Sequence, residues 1–283
     1  MDGLLAWAGG LSPVAVVAGA LLANLGLFVV ALVAGGLLVR RFGDRRVTPL
    51  PPSPDRRERL LTVTAVLLNA GLGVAGWALW RAGWIRLSAD TGLRAVVELL
   101  AFALVMDGLM YGGHWLAHRR RLYRLAHEVH HGYPDPRPST LFVLHPLEVL
   151  GFGGTWIAVL CLCEISAAAL FGYVGLNLVF GLLGHLGVEP FPAGVRRRAV
   201  FRWMALPMFH AAHHADPAVN LGFYTTVWDR LFGTIDPGYD ALRRAERPVL
   251  KVAAHQVNRA NQAERAERAE QPGRTDRAGQ PLA

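Results

Sequence analysis

Twenty-nine consecutive residues, Leu11 to Val39, carry no charged side chain. A bilayer core is crossed by a helix of about 20 apolar residues, so this run is long enough to span with some tilt. The expectation is therefore a helical membrane bundle. A second apolar block runs from Leu60 to Trp80, and a third from Ala95 to about Leu116 with Glu98 and Asp107 inside it. From Val149 to Val188 the only acid is Glu164, and that length suits a hairpin of two helices. The first block lacks a basic leader and a small-residue cleavage site, so it reads as a retained anchor.

Arginine placement orients such a bundle. Arg40, Arg41, Arg45, Arg46, Arg56, Arg57 and Arg59 crowd the first loop, whereas the loop from Arg81 to Arg94 is lightly charged. Basic loops stay cytoplasmic, so the first loop is expected inside and the N-terminus outside. The ends of the third span and of the hairpin then also face the cytoplasm. The formal charge of +8 rests almost wholly on arginine, since Lys251 is the only lysine. A basic surface beside anionic headgroups accounts for it, and no nucleic-acid motif is present. Cys161 and Cys163 sit inside the apolar hairpin and read as small buried residues without chemistry.

Ten of the eleven histidines fall between His114 and His214, eight of them in three clusters. The clusters are His114-Trp-Leu-Ala-His118, His127-Glu-Val-His130-His131 and His210-Ala-Ala-His213-His214. Helical residues three or four apart share a face, so each cluster presents imidazoles in one direction and is able to grip a metal. The donors outnumber what one tetrahedral ion takes, and two ions are the economical reading. All three clusters fall at the ends assigned to the cytoplasm.

Within the second cluster, His127-Glu128-Val129-His130-His131 also satisfies the zinc-peptidase string, with Glu128 as the general base. A peptidase would leave His130 and both other clusters without a role. A metal carrier would place ligands along a midplane path, and a haem anchor needs only two axial donors. Redox work favours iron, since zinc has no redox chemistry.

The ordered set Asp107, Tyr111, His114, His118-Arg119, Leu122, His127, His130-His131, His145-Pro-Leu-Glu148, His210-x-x-His213-His214, Asn220 and Trp228-Asp-Arg-Leu-Phe-Gly-Thr234 resembles the fatty acid hydroxylase and sterol desaturase superfamily. The resemblance covers Asp107 to Asp236, and His145-Pro-Leu-Glu and the Trp228 segment favour it over the membrane acyl-lipid desaturases. It implies a non-haem di-iron enzyme that uses O2 to hydroxylate or desaturate a lipid, with electrons from a separate donor protein. It also implies His114, His118, His127, His130, His131, His210, His213 and His214 as metal ligands.

His185, at the end of the hairpin, is an expected ninth ligand. Asp107 lies seven residues before His114 on the same helix face, and is a candidate catalytic acid through the hydrogen bonds that set an iron-bound tautomer. His145 and Asn220 are candidates for the shell behind the ligands, and Asp229 is available to pair with arginine. The expected organisation is residues 1–94 as membrane spans and basic loop, 95–240 as catalytic domain and 241–283 as a polar, partly disordered tail. The fold expected is all-α, four or five spans with a cytoplasmic helical cap bearing the second and third clusters.

Overall fold

The computed structural model describes residues 1–247, and the expected tail beyond residue 255 lies outside them. Its long helices begin where the sequence supplies caps. Ser12 Oγ accepts from the Ala15 N–H at 3.3 Å, and Pro13 takes the first helical position, where its missing N–H costs nothing. From α1 (Asp2–Gly9) the chain passes to α2 (Pro13–Arg41), which holds the first apolar run. The proline-rich loop ends at Asp55, whose Oδ1 accepts from the Glu58 N–H at 2.6 Å and starts α3 (Arg56–Arg81). A three-residue strand β1 (Arg86–Ser88) leads to α4 (Leu93–Ala117), then α5 (Arg120–Leu122), a π-helical turn over Tyr123–His127 and α6 (Glu128–His131).

The hairpin is α7 (Pro146–Leu162), β2 (Glu164–Ser166) and α8 (Ala167–Gly184). Short helices α9 (Ala193–Arg196), α10 (Pro207–Ala215), α11 (Val227–Phe232) and α12 (Tyr239–Arg244) complete the described chain. Among the described residues, α2, α3 and α8 are long and apolar enough to cross a membrane, three helices against the four or five expected. The apolar α7 has 17 residues, and α4 carries Asp107 and His114 in its second half. Large apolar side chains of α2 stand bare, Leu22 and Val33 among them, which suits lipid and not water.

Two helical hairpins run in the same sense. α3 and α7 start at one end of the bundle and finish in β1 and β2, which pair in parallel with Arg86 opposite Glu164 and Ser88 opposite Ser166. α4 and α8 return to the starting end, where each finishes in histidine. The first loop is fastened at this same end: Val47 N–H donates to Gly187 O at 3.1 Å and Glu189 N–H to Arg45 O at 2.9 Å. The arginine-rich loop and the histidine end are thus one face of the molecule. Gly187 has φ +64°, and a Cβ there would meet Pro136 O at 2.5 Å, so the turn after α8 requires glycine.

Phe102, Met106 and Met110 of α4 pack with Tyr173 of α8 and with Tyr224 from the loop before α11. Leu206, Met208, Phe209 and Tyr239 form a second core beneath α10. Phe223, packed on the first core, meets the His114 ring at 5.0 Å, and His210, His213 and His214 share α10 with Met208 and Phe209 of the second. Cys161 and Cys163 are free thiols, as expected, though half-buried.

Candidate metal centre

Three local devices aim the histidines. At the end of α4, His114 and His118 are one turn apart and their Nε2 atoms approach to 3.2 Å. The π turn of Tyr123–His127 widens the helix just before α6, a deformation frequent at functional sites. Pro207 starts α10, which carries the third cluster on a nine-residue helix with its inner face fully buried.

Among the described residues, nine imidazoles converge into two sets. One comprises His114, His118, His127, His131 and His213; the other comprises His130, His185, His210 and His214, with the ligand nitrogens of each set within 4.8 Å of one another. In sequence each cluster could grip a metal; here each set draws on more than one cluster. In each His-x-x-His-His string, the residues four apart share a set and the middle one crosses over. His127 and His131 join the first set while His130 joins the second; His210 and His214 join the second while His213 joins the first. The two strings are used reciprocally because a step of three residues rotates a side chain to the opposite side of the i,i+4 stripe. The sets adjoin, with the rings of His131 and His214 centred 4.9 Å apart. His185 belongs to the second set, with Nε2 at 3.3 Å from His210 Nε2.

Hydrogen bonds behind the rings test whether a cation fits. His114 Nδ1 lies 2.7 Å from Leu221 O, His213 Nδ1 2.8 Å from Val219 O, His130 Nδ1 3.1 Å from Val143 O and His185 Nδ1 2.8 Å from Gly181 O. A carbonyl accepts only, so each of these Nδ1 atoms carries the proton and each Nε2 is a bare lone pair. His127 Nδ1 is likewise held by Glu148 Oε1 at 2.6 Å. Yet His114 Nε2 and His127 Nε2 stand 3.0 Å apart. Burial pushes the Glu148 carboxyl up to about 8 in the metal-free chain; with Glu148 ionised, the two facing lone pairs form no hydrogen bond, and a metal ion between them removes the conflict. The donor set fits neutral-imidazole metal ligation.

Burial keeps the rings neutral. It holds His118 and His130 down to about 4 and His131 down to about 2, with nearby imidazoles adding to the depression of His118 and His131. The same burial pushes His127, His210, His213 and His214 well below the ordinary range. The unfolded chain takes up protons below the ordinary value of about 6.5, while the folded chain does not until its depressed values are reached. Stability of the metal-free protein therefore falls as pH drops from about 6.5 towards about 4, and a bound metal, which needs neutral rings, is released in the same direction. Thermal melting in detergent at pH 7 and pH 5 checks this: the midpoint is expected to fall at pH 5, and a midpoint indifferent to pH would contradict it.

The backbone carbonyls that orient the rings are themselves pinned. Asp229 is fully buried and accepts from Leu221 N–H at 2.7 Å, Gly222 N–H at 2.8 Å and Thr234 Oγ1 at 2.7 Å. Among the described residues it pairs with no arginine, contrary to expectation; Arg230 pairs with Asp240 at 2.9 Å instead. A Cβ at Gly222 would meet Thr225 O at 2.5 Å, which leaves no room for any other residue. Asn220, in the left-handed region at φ 58°, donates to Phe209 O at 3.1 Å and accepts from Asp236 N–H at 2.8 Å, bracing α10 from behind. Asp229→Asn replaces one acceptor by a donor facing backbone N–H groups. The expected cost is about 2 kcal/mol, read in thermal or denaturant unfolding, with metal lost first from the five-histidine set.

Asp107 does not touch the imidazoles. Its carboxylate accepts from Tyr224 N–H at 3.1 Å, Thr225 Oγ1 at 2.5 Å and Trp228 Nε1 at 3.1 Å, so it ties α4 to the loop that carries Leu221. The role assigned to it in sequence, fixing a tautomer, falls to Leu221 O, Val219 O and Glu148. His145 caps α7, its Nδ1 accepting from Leu147 N–H at 3.2 Å, and stands outside both sets. Glu128, the required base of the peptidase reading, is exposed. Glu148 holds His127 and was given no role in the sequence reading; its signal was an acid in the His145-Pro-Leu-Glu148 motif at the start of an otherwise apolar helix.

Comparison with known proteins points the same way as the geometry. The fatty acid hydroxylase family matches residues 99–234. Methylsterol monooxygenase 1 of Gallus gallus is 30% identical over 162 residues, 54% of this chain and 50% of that protein. Cholesterol 25-hydroxylase-like protein 1, member 2, of Danio rerio is 30% identical over 173 residues, 60% and 61% of the two chains. Very-long-chain aldehyde decarbonylase GL1-8 of Oryza sativa subsp. indica is 27% identical over 225 residues, 73% of this chain and 80% of that one. The chain spans about half the length of the methylsterol monooxygenases of Gallus gallus, Danio rerio and Rattus norvegicus that it matches. No solved structure matches it. The matched segment contains all nine converging histidines, and over it the chain is similar to the fatty acid hydroxylase family.

Proposed function

We propose that this protein is a membrane-bound, non-haem di-iron oxidoreductase that uses O2 to hydroxylate or desaturate a lipid such as a sterol or a fatty acyl chain. The observation that carries the reading is the pair of adjoining all-imidazole sets with bare Nε2 atoms turned inward. Five and four nitrogen donors suit two iron ions, and bound iron supplies the activation of dioxygen. The chain's own residues do the rest. Glu148, Leu221 O, Val219 O, Val143 O and Gly181 O fix five rings in one tautomer. The two adjoining cores exclude water from the sets, and the bundle offers apolar walls to a hydrocarbon.

Hydroxylation consumes one O2, two electrons and two protons for each C–H converted to C–OH, with water as the second product. No cytochrome, flavin or ferredoxin motif occurs in the sequence, so the electrons come from a separate donor protein. The arginine-rich loop bonded to the turn after α8 supports an active site on the cytoplasmic face. The names of the relatives, a methylsterol monooxygenase, a cholesterol 25-hydroxylase-like protein and an aldehyde decarbonylase, favour lipid over any water-soluble substrate.

The test is incubation of the iron-loaded protein with reductant, 18O2 and a lipid extract. Lipid products carrying one 18O atom, or losing two hydrogens, are expected; lipid left unchanged while the reductant is consumed would overturn the reading.

A further inference from the structure

A chain of polar groups crosses the apolar interior of the bundle. Tyr173 and Tyr224 hydroxyls lie 2.7 Å apart, and Tyr224 OH donates to Asn177 Oδ1 at 2.7 Å. Both tyrosines belong to the core formed by α4, α7 and α8. Polar groups at this depth are costly and mark function by default. The two hydroxyls are accounted for by each other and by one lobe of the amide. The other lobe of Asn177 has no hydrogen-bond partner among the described residues, and the side chain is half-buried. Asn24 of α2, by contrast, satisfies its amide on its own helix, donating to Ala20 O at 3.0 Å. Among the described residues, Asn177 makes no such bond on α8.

Asn177 precedes His185 by eight residues on α8, about 12 Å along the helix axis. Phe180 packs on Tyr224 at 5.5 Å, and Phe223, next in the chain to Tyr224, packs on His114 at 5.0 Å. Both are half-buried. Aromatic rings therefore lie between Asn177 and the metal ligands. A substrate lying along them would place hydrocarbon at the histidines and one polar group at Asn177.

We propose that Asn177, held in place by Tyr224 and Tyr173, receives the hydroxyl of a lipid alcohol, making this residue the determinant that selects hydroxylated lipids over plain hydrocarbons. A hydroxyl both donates and accepts, so it satisfies either lobe of an amide. The inference rests on the oxygenase reading for the identity of the site as a lipid site, but its test does not require turnover.

The experiment measures binding of two ligand pairs that differ by a single hydroxyl, cholesterol against cholest-5-ene and octadecan-1-ol against octadecane, to the full-length, metal-loaded protein in detergent. The wild type is expected to prefer at least one alcohol by about tenfold, the worth of one buried hydrogen bond. Asn177→Leu is expected to reduce that preference to within twofold while keeping hydrocarbon affinity and metal content. Tyr224→Phe, which releases the amide, is expected to fall between. Equal affinity of the wild type within both pairs, including no measurable binding of any of the four, would overturn the proposal, as would a preference that survives Asn177→Leu. Failure of 18O incorporation alongside a preserved alcohol preference would count against the oxygenase reading and not against Asn177.

Discussion

A His213→Ala variant is expected to lose one metal of two, and the one lost is held mainly by residues of the other two clusters. His213 Nε2 lies 3.2 Å from His118 Nε2 and 3.1 Å from His131 Nε2, whereas its chain neighbours His210 and His214 serve the second set. Iron is therefore expected to fall from about two per chain to about one, with the residual iron in the four-histidine set. His130→Ala is expected to do the reverse, emptying the second set although His127 and His131 remain to hold the first. Turnover in either case is expected to fall on the order of 10³-fold, since a lost metal removes several kcal/mol of transition-state stabilisation. His145→Ala is the control: this residue caps α7 and touches neither set, so both metals should remain. Iron content together with Mössbauer spectra of each variant reads the outcome. Loss of both ions from every ligand variant would mean that the two sets are one cooperative site.

Replacing Glu148 is expected to have the next largest effect without touching a ligand. Its Oε1 lies 2.6 Å from His127 Nδ1 in a site where both side chains are almost fully buried, and its Oε2 accepts from the His145 N–H at 3.3 Å. The carboxylate makes Nδ1 the protonated nitrogen and raises the basicity of the opposite one. Glu148→Gln keeps an acceptor but removes the charge, and a loss of 10- to 100-fold in metal affinity or activity is expected by the usual weight of such partners. Glu148→Ala also leaves a cavity and releases the tautomer, so the loss should be larger. The residue does not line the proposed lipid path, so kcat is expected to fall with KM little changed. A KM effect alone would assign Glu148 to substrate binding instead.

Local spacing and hydropathy made much of this protein legible. The i,i+4 histidine pairs, the apolar runs that became α2, α3 and α8, and the arginine bias all depend on interactions within a few turns or with the solvent. Long-range partners were not legible. That Leu221 O, and not Asp107, orients His114 depends on a loop folded back across 107 residues of chain. That His213 crosses to the first set depends on where α10 lies relative to α4. The parallel pair Arg86–Ser88 with Glu164–Ser166 is too short to leave a periodic pattern. Glu148 stands in the His145-Pro-Leu-Glu148 motif, but its partner His127 lies 21 residues away and leaves no local pattern.

The central claim is that nine histidines form two separate metal positions and not one pool. Anomalous scattering at the iron edge from crystals of the iron-loaded protein tests it most directly. Two peaks are expected, one bounded by His114, His118, His127, His131 and His213, the other by His130, His185, His210 and His214. A single peak, or a peak ligated by residues of one cluster only, would contradict the account.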